Sequence, residues 1–157
     1  MRTEYIHISG IPAILWGKRS DKLFLFVHDV GSSKESAESF ASIAAEYGYM
    51  TLSFDLPGSG DRANICSACV IEPCDLWHAS RDLEIVRSYA RNLGSLSLYA
   101  KGKGAEFSAA TFEKGAFDIC VIESPELPAD AFKKLGNRVS VGHPSAFDLE
   151  SFIRSSI

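Results

Sequence analysis

The stretch Ser95-Leu-Ser-Leu-Tyr-Ala-Lys-Gly-Lys-Gly-Ala-Glu-Phe-Ser-Ala-Ala110 decides the fold. Leu96, Leu98 and Ala100 alternate with Ser97 and Tyr99, the period of a strand. Lys101, Gly102, Lys103 and Gly104 predict a tight turn, because closely spaced glycines admit positive φ and close backbone approach. Ala105, Phe107, Ala109 and Ala110 suit a packed helix. Ala100-Lys101-Gly102-Lys103-Gly104 has the small–x–nucleophile–x–small frame of a turn that presents a reactive side chain. Gly102, which has no side chain, stands in the nucleophile's place.

Working outward, strands and helices alternate. Residues 3–9 and 13–16 read as an antiparallel hairpin with Gly10 and Pro12 between them. Leu23-Phe-Leu-Phe-Val27 is a continuous apolar run, as in a strand buried on both faces. Ser32 and Glu35 form a capping box that predicts a helix start. Ala37, Phe40, Ala41, Ala44 and Tyr47 continue it at helical spacing, and Gly48 stops it. Met50, Leu52 and Phe54 mark a strand, followed by the turn-rich run Asp55-Leu-Pro-Gly-Ser-Gly-Asp-Arg62. Ser80 reads as the cap of a helix whose buried face is Leu83, Val86, Tyr89, Ala90 and Leu93. Residues 118–123 make another buried strand, 128–135 a short helix stopped by Gly136, and 138–141 a last strand. Ser145 and Asp148 pair at the start of a final helix. This alternation predicts an α/β fold over residues 1–157 as one domain: a mostly parallel, doubly wound sheet with flanking helices and an N-terminal antiparallel hairpin. Ligands bind such sheets beyond the carboxyl ends of the strands, which here are His28, Asp55, Lys101 to Gly104, Glu123, Ser124, Gly142 and His143.

Composition narrows the function classes. The 157 residues are 46% hydrophobic, enough for one core that buries roughly 70% of the unfolded chain's surface. A net charge of −4 offers no general attraction to nucleic acid or anionic membrane. No run approaches the ~20 apolar residues of a membrane span, and the first residues lack a secretory signal's apolar core, so a cytoplasmic location is expected.

The strand ends carry a resemblance. Phe26-Val27-His28-Asp29 with Ser32-Ser33 resembles the His-Gly oxyanion segment of α/β-hydrolases. Gly48-Tyr49 through Asp55-Leu56-Pro57-Gly58-Ser59-Gly60 is similar to their Gly-Tyr…Asp-Leu-Pro-Gly-His-Gly stretch. Arg81-Asp82-Leu83, the turn at Gly102 and Ser124-Pro125 follow in the same order. The resemblance covers residues 1 to about 125 and implies a shortened three-layer α/β-hydrolase sandwich related to small ester and acyl serine hydrolases. The family's triad is Ser, acid and His. Gly102 matches the serine, Ser145 falls at the acid, the chain ends at Ile157 before an eighth strand could bring the histidine, and Asp29 replaces the oxyanion-segment glycine. The expectation is a catalytically degenerate protein that binds a small molecule or a protein partner, with a homodimer through the last sheet edge as a further option. The alternative is a hydrolase that uses non-standard residues or a metal.

Each candidate site has two readings. Lys101, Gly102, Lys103 and Gly104, with His28 and Asp29 beside them, form either an anion site at a helix N-terminus or a tight turn with solvated lysines. His28 either shapes the oxyanion loop or is held by a backbone carbonyl. His143 could act as a base towards Ser124 or Ser145. Cys66-x2-Cys69-x4-Cys74-x3-His78 could hold zinc, or the cysteines could be plain loop thiols. No other cofactor is implied. Cys120 reads as a core thiol, Asp55, Asp61 and Glu123 as carboxylates at strand ends that either bind polar ligand groups or are simply solvated, and Trp77 as a pocket cover or core cap.

Overall fold

The strand at Lys22–Val27 (β3) is central because it buries both faces: Leu23, Leu25 and Val27 point one way and Phe24 and Phe26 the other, all fully enclosed. The computed structural model describes residues 1–62, 73–123 and 125–142. Around β3 lie Thr3–Ile8 (β1), Ile11–Trp16 (β2), Met50–Phe54 (β4), Ser95–Lys101 (β5), Phe117–Glu123 (β6) and Gly136–Gly142 (β7). They form one sheet in the order β1-β2-β4-β3-β5-β6-β7. β1 and β2 are antiparallel, as is β2 with β4, and all the remaining pairs are parallel. The β1–β2 turn places Ser9 and Gly10 both at positive φ, the requirement of a two-residue hairpin turn that follows the strand twist.

Helices Glu38–Glu46 (α1), Leu76–Arg91 (α2) and Gly102–Thr111 (α3) cover the faces. α1 presents Phe40, Ala41 and Ala44 to Phe24, Phe26 and Tyr99. Phe40 packs 4.2 Å from the Tyr99 ring, and Tyr99 stacks on Phe26 at 5.2 Å. On the opposite face α2 contributes Ala79, Leu83, Val86 and Ala90, and α3 Ala105, Phe107 and Ala109, against Leu25, Leu52 and Leu98. Each large side chain buried in this way contributes about 1.5–3 kcal/mol. The layers and strand order bear out the predicted doubly wound sheet with its N-terminal hairpin.

Several local expectations are corrected. The Ser32–Glu35 capping box does not form: Ser33 precedes a short 3-10 turn, Lys34–Ala37, and makes no side-chain cap. The free amide of Lys34 goes instead to the Asp55 carboxylate, 2.9 Å away. α2 starts four residues before Ser80, capped by Asp75, whose carboxylate accepts the His78 N–H at 2.9 Å. Ser80 bonds across to Thr111. The turn at the opening stretch is tighter than predicted, since β5 runs through Lys101 and α3 begins at Gly102. Between 128 and 135 two 3-10 turns replace the helix, and Gly136 opens β7. The helix predicted from Ser145 lies outside the described residues.

Candidate functional site

The passage from β5 to α3 needs its glycines for different reasons. Gly102 has φ +51°, a left-handed conformation that side chains other than glycine adopt at a cost of roughly 1–2 kcal/mol. Gly104 lies so close to the end of β3 that a Cβ there would overlap the His28 carbonyl. The start of α3 is therefore pressed against the loop that follows β3.

That loop sends Asp29 over Gly102. Its Oδ1 accepts the Lys103 N–H at 2.9 Å and its neighbour Val30's N–H at 2.8 Å. A Cβ built on Gly102 would overlap the Asp29 carboxylate. The space a nucleophilic side chain would take, and the amide just after it, are both held by one carboxylate. Asp29 is exposed, so it also supplies α3 with the N-terminal negative charge and cap that Lys101, the residue before the helix, does not.

His28 is fully buried one residue earlier. Its Nδ1 lies 2.6 Å from the Asp29 carbonyl oxygen, and its Nε2 accepts the Leu56 N–H at 3.0 Å. Nδ1 therefore carries the proton, and the ring is neutral. Burial lowers its pKa below the ordinary histidine value, outweighing the upward pull of the Asp29 carbonyl and the nearby Asp55, Asp29 and Glu35 carboxylates. Both ring nitrogens are in use, so His28 ties the loop after β3 to the loop after β4 and has no free nitrogen to offer a substrate.

The two lysines of the turn have acidic neighbours. Lys101 Nζ is 3.4 Å from Glu123, and Lys103 Nζ is 3.7 Å from Glu106. Glu123 is also hydrogen-bonded to the Tyr99 phenol, whose pKa is raised first by burial and then by that bond and charge. Glu123 is thus buried and partnered, which corrects its reading as a solvated carboxylate. An anion arriving at Lys101, Gly102, Lys103 and Gly104 would meet the Asp29 carboxylate already on the Lys103 amide.

A buried polar cluster around Lys34 was missed in sequence. Lys34, 1% exposed, donates from Nζ to Asp55 at 2.8 Å and Asp61 at 2.7 Å, with Glu35 at 3.0 Å. Asp55 is fully buried, where a solvated carboxylate was expected, and also accepts the Asp61 N–H at 3.0 Å. Asp61 itself remains mostly exposed. Arg62 extends the cluster to the Asp55 carbonyl and the Asp82 carboxylate. Burial pulls the Lys34 pKa down, but the three carboxylates more than offset it, so the ammonium stays charged. A helical-wheel reading could have found this, because Lys34 falls in line with the buried Ala37, Ala41 and Ala44.

The other predicted residues are scattered. Cys120 is a fully buried core thiol, its pKa pushed up to about 12 by burial and by Asp118. Trp77 is 68% exposed and caps no core; it faces the Arg81 guanidinium at 5.7 Å. Cys74 is half-buried, and His78 Nδ1 is bonded to Asp75 at 2.8 Å. Cys66, Cys69, Ser124, His143 and Ser145 lie outside the described residues. Among the described residues no group of three His, Cys, Asp or Glu side chains is placed to hold a metal ion. No helix among them is long and apolar enough to cross a membrane.

The sheet order and the positive-φ turn from β5 into α3 are those of the α/β-hydrolase fold, and this chain has that fold. It superposes on an epoxide hydrolase from Vigna radiata with a TM-score of 0.60 at 20% identity, covering 82% of this chain and 41% of that one. The thioesterase domain of the curacin biosynthetic pathway gives 0.58 at 17% identity, over 82% and 46%. A thermostable carboxyl esterase from Bacillus coagulans gives 0.61 at 12%, over 78% and 44%. The chain thus spans less than half the length of these three proteins. No protein-family model matches the sequence, and the sequence matches no curated protein.

Proposed function

We propose that this chain is a catalytically degenerate α/β-hydrolase-fold protein that binds a small molecule or a protein partner and forms no acyl-enzyme. One observation carries the reading: the Asp29 carboxylate occupies the space above Gly102 and takes the Lys103 amide. Covalent acyl transfer needs a nucleophile at that turn, and it needs amide donors free to receive the developing oxyanion. Here the first is a glycine, and the second already donates to the Asp29 carboxylate, which stands where the oxyanion would form. The supporting geometry agrees, since the buried His28 spends both nitrogens on backbone groups. The neighbouring structures are named for work on epoxides, thioesters and carboxylic esters. Compounds of that kind, small and carrying a polarised carbon–oxygen group, are the first to test as ligands.

The experiment is labelling with a fluorophosphonate probe, run beside hydrolysis of p-nitrophenyl esters of two to eight carbons. The expected result is no covalent adduct by intact-protein mass spectrometry and no turnover above the buffer rate. A stoichiometric adduct on any serine overturns the proposal.

A further inference from the structure

The pole of the sheet opposite Gly102 carries a different kind of site. The exit of β2 and the entrance of β3 form the turn Gly17-Lys18-Arg19-Ser20, and Arg2 runs alongside it. The backbone here is braced. Gly17 donates its N–H to the Arg2 carbonyl at 2.7 Å, and Ser20 Oγ donates to the Gly48 carbonyl at 2.6 Å. Two hollows open on either side of this turn and share Arg2, Gly17 and Arg19 in their walls. The smaller, about 220 Å³, has an apolar floor of Leu15, Met50 and Leu93 and carries Glu4 in its wall beside Arg2 and Arg19. The larger, about 620 Å³, adds Lys18, Ser20 and Tyr49 and has no carboxylate residue in its wall. Lys22 stands at its edge, with Nζ 3.4 Å from the Tyr47 carbonyl oxygen and 4.7 Å from the Tyr49 ring centre.

The wall of the larger hollow is basic, although Glu4 lines the smaller one and Asp21 follows the turn. The protein carries −4 overall, and its other pole is crowded with Asp29, Asp55, Asp61 and Glu123. Arg2, Lys18 and Arg19 are exposed, and among the described residues none of them is engaged in an ion pair. Arg2, Lys18 and Arg19, with no ion-pair partner among the described residues, gather in the wall of the larger hollow, where a multiply charged anion relieves their mutual repulsion. A carboxylate brings one charge, whereas a phosphate monoester brings about −1.5 to −2 and oxygens that fit the guanidinium fork. We infer that the hollow between Arg2, Lys18 and Arg19 binds a small organic phosphate, its phosphoryl group between the two guanidinium groups and its body against Tyr49. The site does not depend on the state of the Gly102 turn.

Titration of the ¹⁵N-labelled chain with inorganic phosphate, pyrophosphate and phenyl phosphate tests this. Saturable shifts are expected at the amides of Gly17, Arg19 and Gly48, with phenyl phosphate tighter than phosphate and acetate weaker than both. Arg2→Ala and Arg19→Ala each weaken binding about tenfold, the loss of one charge-assisted pair. Lys133→Ala, at the far end of the sheet, leaves it unchanged. Unaltered urea midpoints show that the variants fold. No saturable shift with any of the three phosphates overturns the inference, and so does equal affinity in the Arg2→Ala/Arg19→Ala double variant. Phosphatidylglycerol vesicles form a separate arm. Binding to them without binding to the soluble phosphates assigns the cations to a lipid surface and also overturns it.

Discussion

The carboxylate of Asp29 stands over the α-carbon of Gly102, with its Oδ1 2.9 Å from the Lys103 amide nitrogen. This contact joins residues 74 positions apart, and it changes the meaning of the missing nucleophile. The turn is occupied, so restoring a hydroxyl would set it against an existing carboxylate.

Gly102→Ser is therefore expected to be both inactive and unstable. Its side chain collides with Asp29 and sits at positive φ, a combined loss of about 2–4 kcal/mol by urea denaturation. The double variant Asp29→Gly/Gly102→Ser removes the collision and recovers most of the overlap cost. It still shows no stopped-flow burst with p-nitrophenyl acetate, because His28 has no free nitrogen to act as base. A burst in either variant would show that a base reaches residue 102.

Asp29→Ala tests the cap separately. Loss of the acceptor for the Lys103 N–H costs about 1 kcal/mol. Hydrogen exchange of the Lys103 amide should rise relative to amides in the middle of α3. Unchanged exchange would mean that water replaces the carboxylate without loss.

His28 makes stability depend on pH in a defined direction. Its pKa in the folded protein lies below the unfolded value of about 6.5, so the unfolded chain binds the proton more readily. The neutral ring's contribution is complete above that value and is lost as pH falls from about 6.5 towards the lower folded pKa. Compared with wild type, His28→Asn should show a shallower fall in stability from pH 7 to pH 5. Parallel curves would place the titration elsewhere.

Lys34→Met leaves Asp55 buried without its cation, for which a loss of about 3–5 kcal/mol is expected. Asp55→Asn in the same chain should recover part of it, giving a coupling of at least about 1 kcal/mol in a double-mutant cycle. Additive losses would show that the pair does not interact in solution.

The order of elements was readable because each rests on local pattern. The alternation at Leu96, Leu98 and Ala100 gave β5, the double-sided apolar run gave β3, and glycines at 102 and 104 marked the turn. The absence of a side chain at residue 102 was equally plain. Local capping failed where a distant group intervened: Ser32 and Glu35 have the spacing of a capping box, but Asp55, 21 residues on, takes the Lys34 amide. The same limit hid the carboxylate over Gly102 and the buried Lys34–Asp55 pair. Nothing local marks Asp29 as the partner of Gly102, or Lys34 as the partner of Asp55, until β3, β4 and β5 lie side by side. Parallel pairing then brings the strand ends to one edge, where Asp29 meets Gly102 and Asp55 meets Lys34. Periodicity and turn chemistry are properties of neighbouring residues, whereas burying a charge or filling a space depends on which distant backbone arrives there.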